Sequence, residues 1–170
     1  LLETLFDIPK EEEQKIDLPK EFISLANKNI PPTGFPARKY LKERGISKQD
    51  IIWWKMGYCS SGEYENRIII PSFNEKGDSD YFIARTYAGD FPKYKNPPVG
   101  RDIVFNDLFI DWTSDIVLVE GVFDALRVGT NAVPLLGSTL REESKLFQKI
   151  VRNDTPVYLA LDPDAEKKSL

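Results

Sequence analysis

The last third of the chain alternates apolar runs with amphipathic stretches, and this alternation constrains the fold more than any other feature. Two segments between the apolar runs predict helices. Residues 123–129 predict a short helix, and residues 139–151 predict a helix capped by Thr139 with Glu142 in capping-box position. Short strands that are apolar throughout and separated by helices are typical of a parallel α/β sheet. The three apolar runs are 115–120 (DIVLVE), 131–137 (NAVPLLG) and 156–162 (PVYLALD).

The part of the chain before residue 112 has a different pattern. Residues 36–59 predict two helical pieces, the first ended by Gly45 and the second capped by Ser47. Residues 67–71 and 80–88 predict two strands joined by a turn, and a proline-broken loop follows. The segment 19–29 predicts a short helix. The expected organisation is therefore a lead-in (1–36), a mixed α+β part (37–112) and an α/β part (113–170).

Composition removes several classes of chemistry. The chain has no His and a single Cys, Cys59, which excludes imidazole-based catalysis, an intrachain disulfide and a cysteine-based zinc cluster within this segment. No run is long enough to span a membrane and no signal-peptide pattern opens the chain, so we expect a cytoplasmic setting. The formal charge of −4 argues against tight non-specific duplex binding by the whole surface. Because the first residue is Leu rather than Met, we interpret the chain as a segment of a longer protein.

Carboxylates follow two of the predicted parallel strands. Glu120 closes the first strand and Asp162 the third, with Asp164 two residues further on; Asp124 lies about one helical turn after Glu120. The carboxyl ends of parallel strands meet at one edge of a sheet, so we expect these acids to converge there. Four carboxylates without His or Cys suit Mg²⁺ or Mn²⁺, which can stabilise an in-line phosphoryl displacement. Taken singly, each acidic motif is better explained by a turn or a solvated strand end, and only their occurrence together at corresponding strand ends favours a site.

These residues resemble the signature of the Toprim fold. The segment 117–126 (VLVEGVFDAL) is similar to its E-G-x-x-D motif and 159–165 (LALDPDA) to its D-x-D motif. The upstream segment 66–98, with its P-K-Y-x-N loop, resembles the basic subdomain of DnaG-type primases, and 40–59 resembles the helical lead-in of that family. The segment 133–140 (VPLLGSTL) is similar to its L-G-T-x-L segment. The matching segments occur in the family's order and cover roughly residues 37 to 165.

The resemblance implies the catalytic core of a DnaG-type primase, phage-like or primase–helicase-like, with an α+β basic subdomain before a C-terminally truncated Toprim subdomain. Such a core joins ribonucleoside triphosphates into a primer on a single-stranded DNA template and works beside a replicative helicase. Glu120, Asp162 and Asp164 would then bind Mg²⁺ or Mn²⁺, with Asp124 supporting them and Glu120 as the general base or metal bridge. The residues expected to line the groove for template and nucleotide are Arg67, Arg85, Lys93, Tyr94 and Asn96.

Two other functions remain open on the sequence. In a Toprim-type nuclease the same acids would activate water and cut the strand. In a non-catalytic module the basic loop would only hold single-stranded DNA, and Asp162 would be dispensable. The product distinguishes the first two, since a primase makes oligoribonucleotides and a nuclease makes cut strands.

Overall fold

The computed structural model describes residues 13–129, 131–137 and 139–162 of the chain. One predicted site residue, Asp164, lies outside these ranges. Two short 3-10 turns, Pro32–Gly34 and Asp107–Phe109, join the regular elements. The elements are β1 (Ile23–Ser24), α1 (Phe35–Glu43), α2 (Lys48–Trp53), β2 (Gly57–Cys59), β3 (Arg67–Phe73), β4 (Ser79–Thr86), β5 (Ile116–Val119), α3 (Val122–Val128), β6 (Ala132–Pro134), α4 (Lys145–Asn153) and β7 (Val157–Ala160).

The first four strands form an antiparallel sheet in the order β1-β2-β3-β4. Because side chains alternate along a strand, Ile68 and Ile70 of β3 face one core while Ile69 faces another. The first core also takes Ala37 and Leu41 of α1, and both faces of the central strands are therefore buried. The predicted strands and the two helical pieces of this region are confirmed.

The helix predicted for residues 19–29 is wrong. Ile23 and Ser24 pair with β2 as an edge strand, and Leu25, which follows, is buried in the main core. The ring of Phe22 occupies the position that a Cβ at Gly57 would need, with its nearest carbon at 2.1 Å, so this pairing depends on a glycine in the neighbouring strand. Tertiary packing overrides local helix propensity here. Division of the chain at residues 36 and 112 stays a prediction.

The last three strands form a parallel sheet in the order β6-β5-β7, which confirms the predicted α/β part. Val122 of α3 packs into the core shared with the antiparallel sheet, whereas Leu146 of α4 packs with Leu118 of β5 in a separate cluster. The helices thus bury different sets of apolar residues from the same sheet. Among the helices that the structure describes, none has the length and apolar character that a bilayer crossing requires.

The predicted start of α4 is wrong by five residues. Ser144, not Thr139, is the N-cap, and its hydroxyl accepts a hydrogen bond from the backbone N–H of Phe147 at 3.4 Å. Residues 141–144 form a turn closed by a bond from Ser144 N to Arg141 O, and the backbone of Ser144 is extended, so the helix begins only at Lys145. Asp102 adds a second cap, since its Oδ1 accepts from Lys145 N at 3.0 Å.

Candidate active site

The acidic edge, defined as Glu120, Asp124 and Asp162, lies at the carboxyl ends of the parallel strands. Glu120 directly follows β5, and Asp162 lies two residues beyond the end of β7, the strand that pairs with β5. The two meet, because Glu120 Oε1 accepts a hydrogen bond from Asp162 N at 3.2 Å. The parallel topology thus brings together two acids that are 42 positions apart in the chain.

Asp124 completes the acidic edge from the first turn of α3. Its Oδ2 would lie 3.4 Å from a Cβ at Gly121, so the carboxylate folds back over the glycine that connects β5 to α3. The carboxylate of Asp124 therefore lies over the residue that directly follows Glu120.

The donor set of the acidic edge fits a hard cation. All three side chains are carboxylates, and within the described part of the chain none of them forms an ion pair with Lys or Arg. Oxygen-only donors of this kind suit Mg²⁺ or Mn²⁺. Across residues 13–129, 131–137 and 139–162 there is no group of three or more His, Cys, Asp or Glu arranged to hold a metal. Asp164, the fourth predicted acid, lies outside those ranges, and the metal set stays a prediction.

Arg85 connects the antiparallel sheet to the acidic edge. Its guanidinium, 8% exposed, donates through Nε to the hydroxyl of Tyr40 and through Nη1 to the hydroxyl of Tyr94. Its Cζ also lies 5.0 Å from the ring centre of Phe123, the residue before Asp124. The hydroxyls of Tyr40 and Tyr94 and the ring of Phe123 therefore hold this guanidinium in a fixed position beside α3.

Arg44 was not predicted as a functional residue. It follows α1, and its Cζ lies 4.8 Å from the ring centre of Tyr40 and 5.3 Å from that of Phe123. Its Nε is buried without a hydrogen-bond partner among the described residues. The helical spacing of Tyr40 and Arg44, i and i+4, was the available signal, but only the fold shows that both rings also meet Arg85. We call Arg44, Arg85 and the rings of Tyr40 and Phe123 the arginine cluster.

Arg67 lies in the interior rather than on a groove surface. It is 4% exposed, and its guanidinium donates to the backbone oxygens of Pro92 at 2.8 Å and Lys93 at 3.4 Å. These bonds hold the P-K-Y-x-N loop from behind. In this structure Arg67 supports the loop that carries Lys93, and its predicted contact with template or nucleotide stays a prediction.

The P-K-Y-x-N loop runs along the free edge of β4. Lys95 N donates to Ala84 O at 2.9 Å, and the side chain of Asn96 accepts from Ala84 N at 3.1 Å. At this edge the side chain of Asn96 thus accepts the hydrogen bond from β4 that the backbone of a neighbouring strand would otherwise accept. Lys93 and Tyr94 are exposed, and the hydroxyl of Tyr94 contacts the arginine cluster.

A cleft of about 550 Å³ opens at the carboxyl end of β6. It adjoins the acidic edge, because Leu135 lines it and the next residue, Leu136, donates its backbone N–H to Glu120 O at 3.1 Å. Arg101 and Arg141 are among the residues that line it. A cleft of this size can enclose a small ligand.

Known proteins with similar sequences are DNA primases, although no family model matches the chain. The DNA primase of Halalkalibacterium halodurans is 27% identical over a region that covers 78% of this chain and 30% of the relative. That of Staphylococcus aureus strain MSSA476 is 31% identical, with 75% of this chain and 24% of the relative covered. The chain therefore spans only about a quarter to a third of the length of these relatives.

Solved structures with a similar fold are primase domains. A DnaG primase catalytic domain bound to single-stranded DNA has a TM-score of 0.67 and 19% identity, covering 80% of this chain and 56% of that chain. The zinc-binding and RNA polymerase domains of Aquifex aeolicus primase have a TM-score of 0.63 and 25% identity, covering 84% and 45%. The RNA polymerase domain of Mycobacterium tuberculosis primase, in complex with duplex DNA carrying a 6-nucleotide overhang, has a TM-score of 0.65 and 20% identity, covering 81% and 60%.

Proposed function

The chain belongs to the DnaG-type DNA primases, whose catalytic cores share its sequence pattern and its fold, and we propose that it contributes the active site for RNA primer synthesis on single-stranded DNA. The observation that carries this proposal is the position of α3. Its first turn places the carboxylate of Asp124 over Gly121, the residue after Glu120, and Phe123 packs against both arginines of the cluster. One helix thus fixes the position of Asp124 relative to the two arginines.

In this proposal Glu120, Asp162 and Asp164 would hold Mg²⁺ or Mn²⁺, and Asp124 would support them. The cation supplies charge stabilisation at the phosphate that is transferred. Glu120 takes the proton of the attacking 3′ hydroxyl, the oxygen attacks the α-phosphate of a ribonucleoside triphosphate, and pyrophosphate leaves. The hydrogen bond from Asp162 N to Oε1 of Glu120 orients this carboxylate at the edge of the sheet.

The basic side chains hold the nucleic acid in this proposal. Arg44 binds phosphate oxygens, because a planar guanidinium can donate two parallel hydrogen bonds to a phosphate. Arg85, which is buried and already donates to Tyr40 and Tyr94, adds its positive charge beside Arg44. Lys93 adds a point charge at the rim, and Tyr94 and Asn96 keep its loop in place. The cleft beside β6 receives the incoming nucleotide. A replicative helicase as partner and a cytoplasmic setting belong to the same proposal and rest on the family alone.

The test is Glu120→Gln in the intact protein. We expect primer synthesis on single-stranded DNA to fall at least a hundredfold while affinity for the strand stays within twofold, since the change removes a charge from the acidic edge and leaves the arginine cluster intact. The matched control is Asp115→Asn, an exposed acid that precedes β5 at the opposite end of the strand and should change neither quantity.

Three results would contradict the proposal. Equal loss of synthesis and binding in Glu120→Gln would place Glu120 in the fold or in DNA binding instead of the chemistry. Cut strands without oligoribonucleotides would favour a Toprim-type nuclease. Full activity of an Asp162→Ala variant would favour the non-catalytic binding module.

A further inference from the structure

Phe91 is the most solvent-exposed large apolar residue among those that the structure describes. Its side chain is 96% exposed, on the P-K-Y-x-N loop directly before Pro92. An aromatic ring left wholly in water forgoes the stabilisation that burial gives, so its position calls for an explanation. The proposed function does not use it.

The loop that carries Phe91 is held on both sides. Before it, the hydroxyl of Thr86 accepts from Ala88 N at 3.2 Å and from Asp90 N at 3.1 Å. After it, the buried guanidinium of Arg67 donates to Pro92 O at 2.8 Å. The backbone that carries the ring is therefore held in place, and the exposure of Phe91 is a property of an ordered turn.

The surroundings of Phe91 are those of a single-strand site. Lys93, two residues on, is exposed, and Tyr94 bonds through its hydroxyl to Arg85. Asp90 is the one carboxylate between residues 87 and 101. Sites for single-stranded nucleic acid combine cations that follow the phosphates with aromatic rings on which unpaired bases stack. A paired base in a duplex cannot stack in this way, because both of its faces are covered.

We propose that Phe91 is a stacking platform for one unpaired base of the template strand, next to phosphates held by Lys93 and the arginine cluster. This inference rests on the proposed function. It adds a contact with a base of the DNA, whereas the cationic residues contact only the phosphates. It assigns single-stranded DNA, and not duplex, to the outer face of the loop.

The test compares Phe91→Ala, Phe91→Trp and Phe35→Ala in the full chain by fluorescence anisotropy with labelled oligothymidylate. We expect Phe91→Ala to weaken binding about tenfold, because loss of one stacked base has an effect of that order. Phe91→Trp keeps a ring and should stay within twofold of the wild type. Phe35, 58% exposed on α1, is the matched control and should have no effect.

A strand of the same length whose sugars carry no bases separates stacking from phosphate binding. On this strand wild type and Phe91→Ala should bind equally, and the dependence of affinity on salt should be the same for both proteins. Unchanged binding of oligothymidylate by Phe91→Ala, or an equal loss on the abasic strand, would overturn the inference and leave contact with another protein as the role of the ring.

Lys93→Ala distinguishes failure of this inference from failure of the proposed function. If Lys93→Ala weakens binding in a salt-dependent way and Phe91→Ala has no effect, only the platform is wrong. If neither variant changes binding, the loop does not contact DNA, and the inference falls together with the nucleic-acid part of the proposed function.

Discussion

Asp80 is a buried acid whose ionisation opposes folding. It is 4% exposed on β4, and its Oδ1 has no hydrogen-bond partner among the described residues. Burial raises the pKa of Asp80 above its ordinary value, although a hydrogen bond with Ser72 and the charge of Lys145 act in the other direction and the charge of Asp107 adds to the rise. A carboxyl with a raised pKa in the folded state binds its proton more tightly there, so stability falls as pH rises through that pKa.

Asp80→Asn removes this ionisation and keeps the shape of the side chain. We expect the variant to have a larger free energy of unfolding than the wild type at pH 7, by about 1 kcal/mol, because an unsatisfied buried oxygen no longer carries charge. The gain should shrink towards pH 3, below the ordinary pKa of an Asp carboxyl, because most of the wild-type carboxyl is then protonated in both states. Urea titrations at the two pH values measure it, and a gain that is independent of pH would contradict the assignment.

The sequence predicts the position of a single residue well only where the strand topology alone determines that position. Glu120 and Asp162 meet because parallel strands end at one edge, a rule that needs no side-chain detail. The sequence does not predict a functional role for Arg44, because its contacts come from α1 and α3, which are far apart in the chain. The burial of Arg67 was equally hidden, since neither face of β3 is solvated and alternation therefore gives no sign of an interior position.

At the scale of elements, the two possible caps of α4 give a direct comparison. Ser144→Ala removes the hydroxyl that accepts from Phe147 N, and we expect a loss of about 1 kcal/mol in the free energy of unfolding. Thr139→Ala is the matched control, because the sequence pattern favours Thr139 as the cap while the structure places it outside the helix. Urea unfolding of both variants decides between them. A larger loss for Thr139→Ala would mean that the helix begins where the sequence pattern places it.

The elements that the sequence predicted correctly are those with a strong local signal. Ser47 caps α2 with a full capping box with Asp50, and the apolar strands of the parallel sheet occur in the predicted order. The two errors, at residues 19–29 and at the start of α4, have a common cause. In both places a plausible helical pattern competes with contacts to a distant segment, namely β2 in the first case and Asp102 in the second. Local periodicity does not contain that information.

At the scale of the whole molecule, Lys149 joins parts of the chain that belong to different sheets. From α4 it contacts Glu75 in the turn between β3 and β4 at 2.6 Å and Asp107 in the second 3-10 turn at 2.5 Å. Trp112 adds its indole N–H to the second oxygen of Asp107. Burial alone lowers the pKa of Lys149, but hydrogen bonds and charges from Asp107 and Glu75 outweigh it and raise the pKa. The lysine therefore stays charged at neutral pH and holds α4 against the antiparallel sheet.

Lys149→Ala tests whether this junction stabilises the arrangement of the two sheets. We expect a loss of about 2 kcal/mol, because Asp107, whose side chain is 9% exposed, would keep its charge without a cation. Lys76→Ala is the control, since Lys76 pairs with Glu13 on the exposed surface and exposed pairs add little to stability. The double variant Lys149→Met, Asp107→Asn should recover most of the loss, because it removes both charges together. Hydrogen exchange shows where in the structure the loss occurs. In Lys149→Ala we expect the amides of α4 to exchange faster while those of β2 do not change. A uniform increase across both sheets would show that Lys149 stabilises the whole molecule and does not specifically join two of its parts.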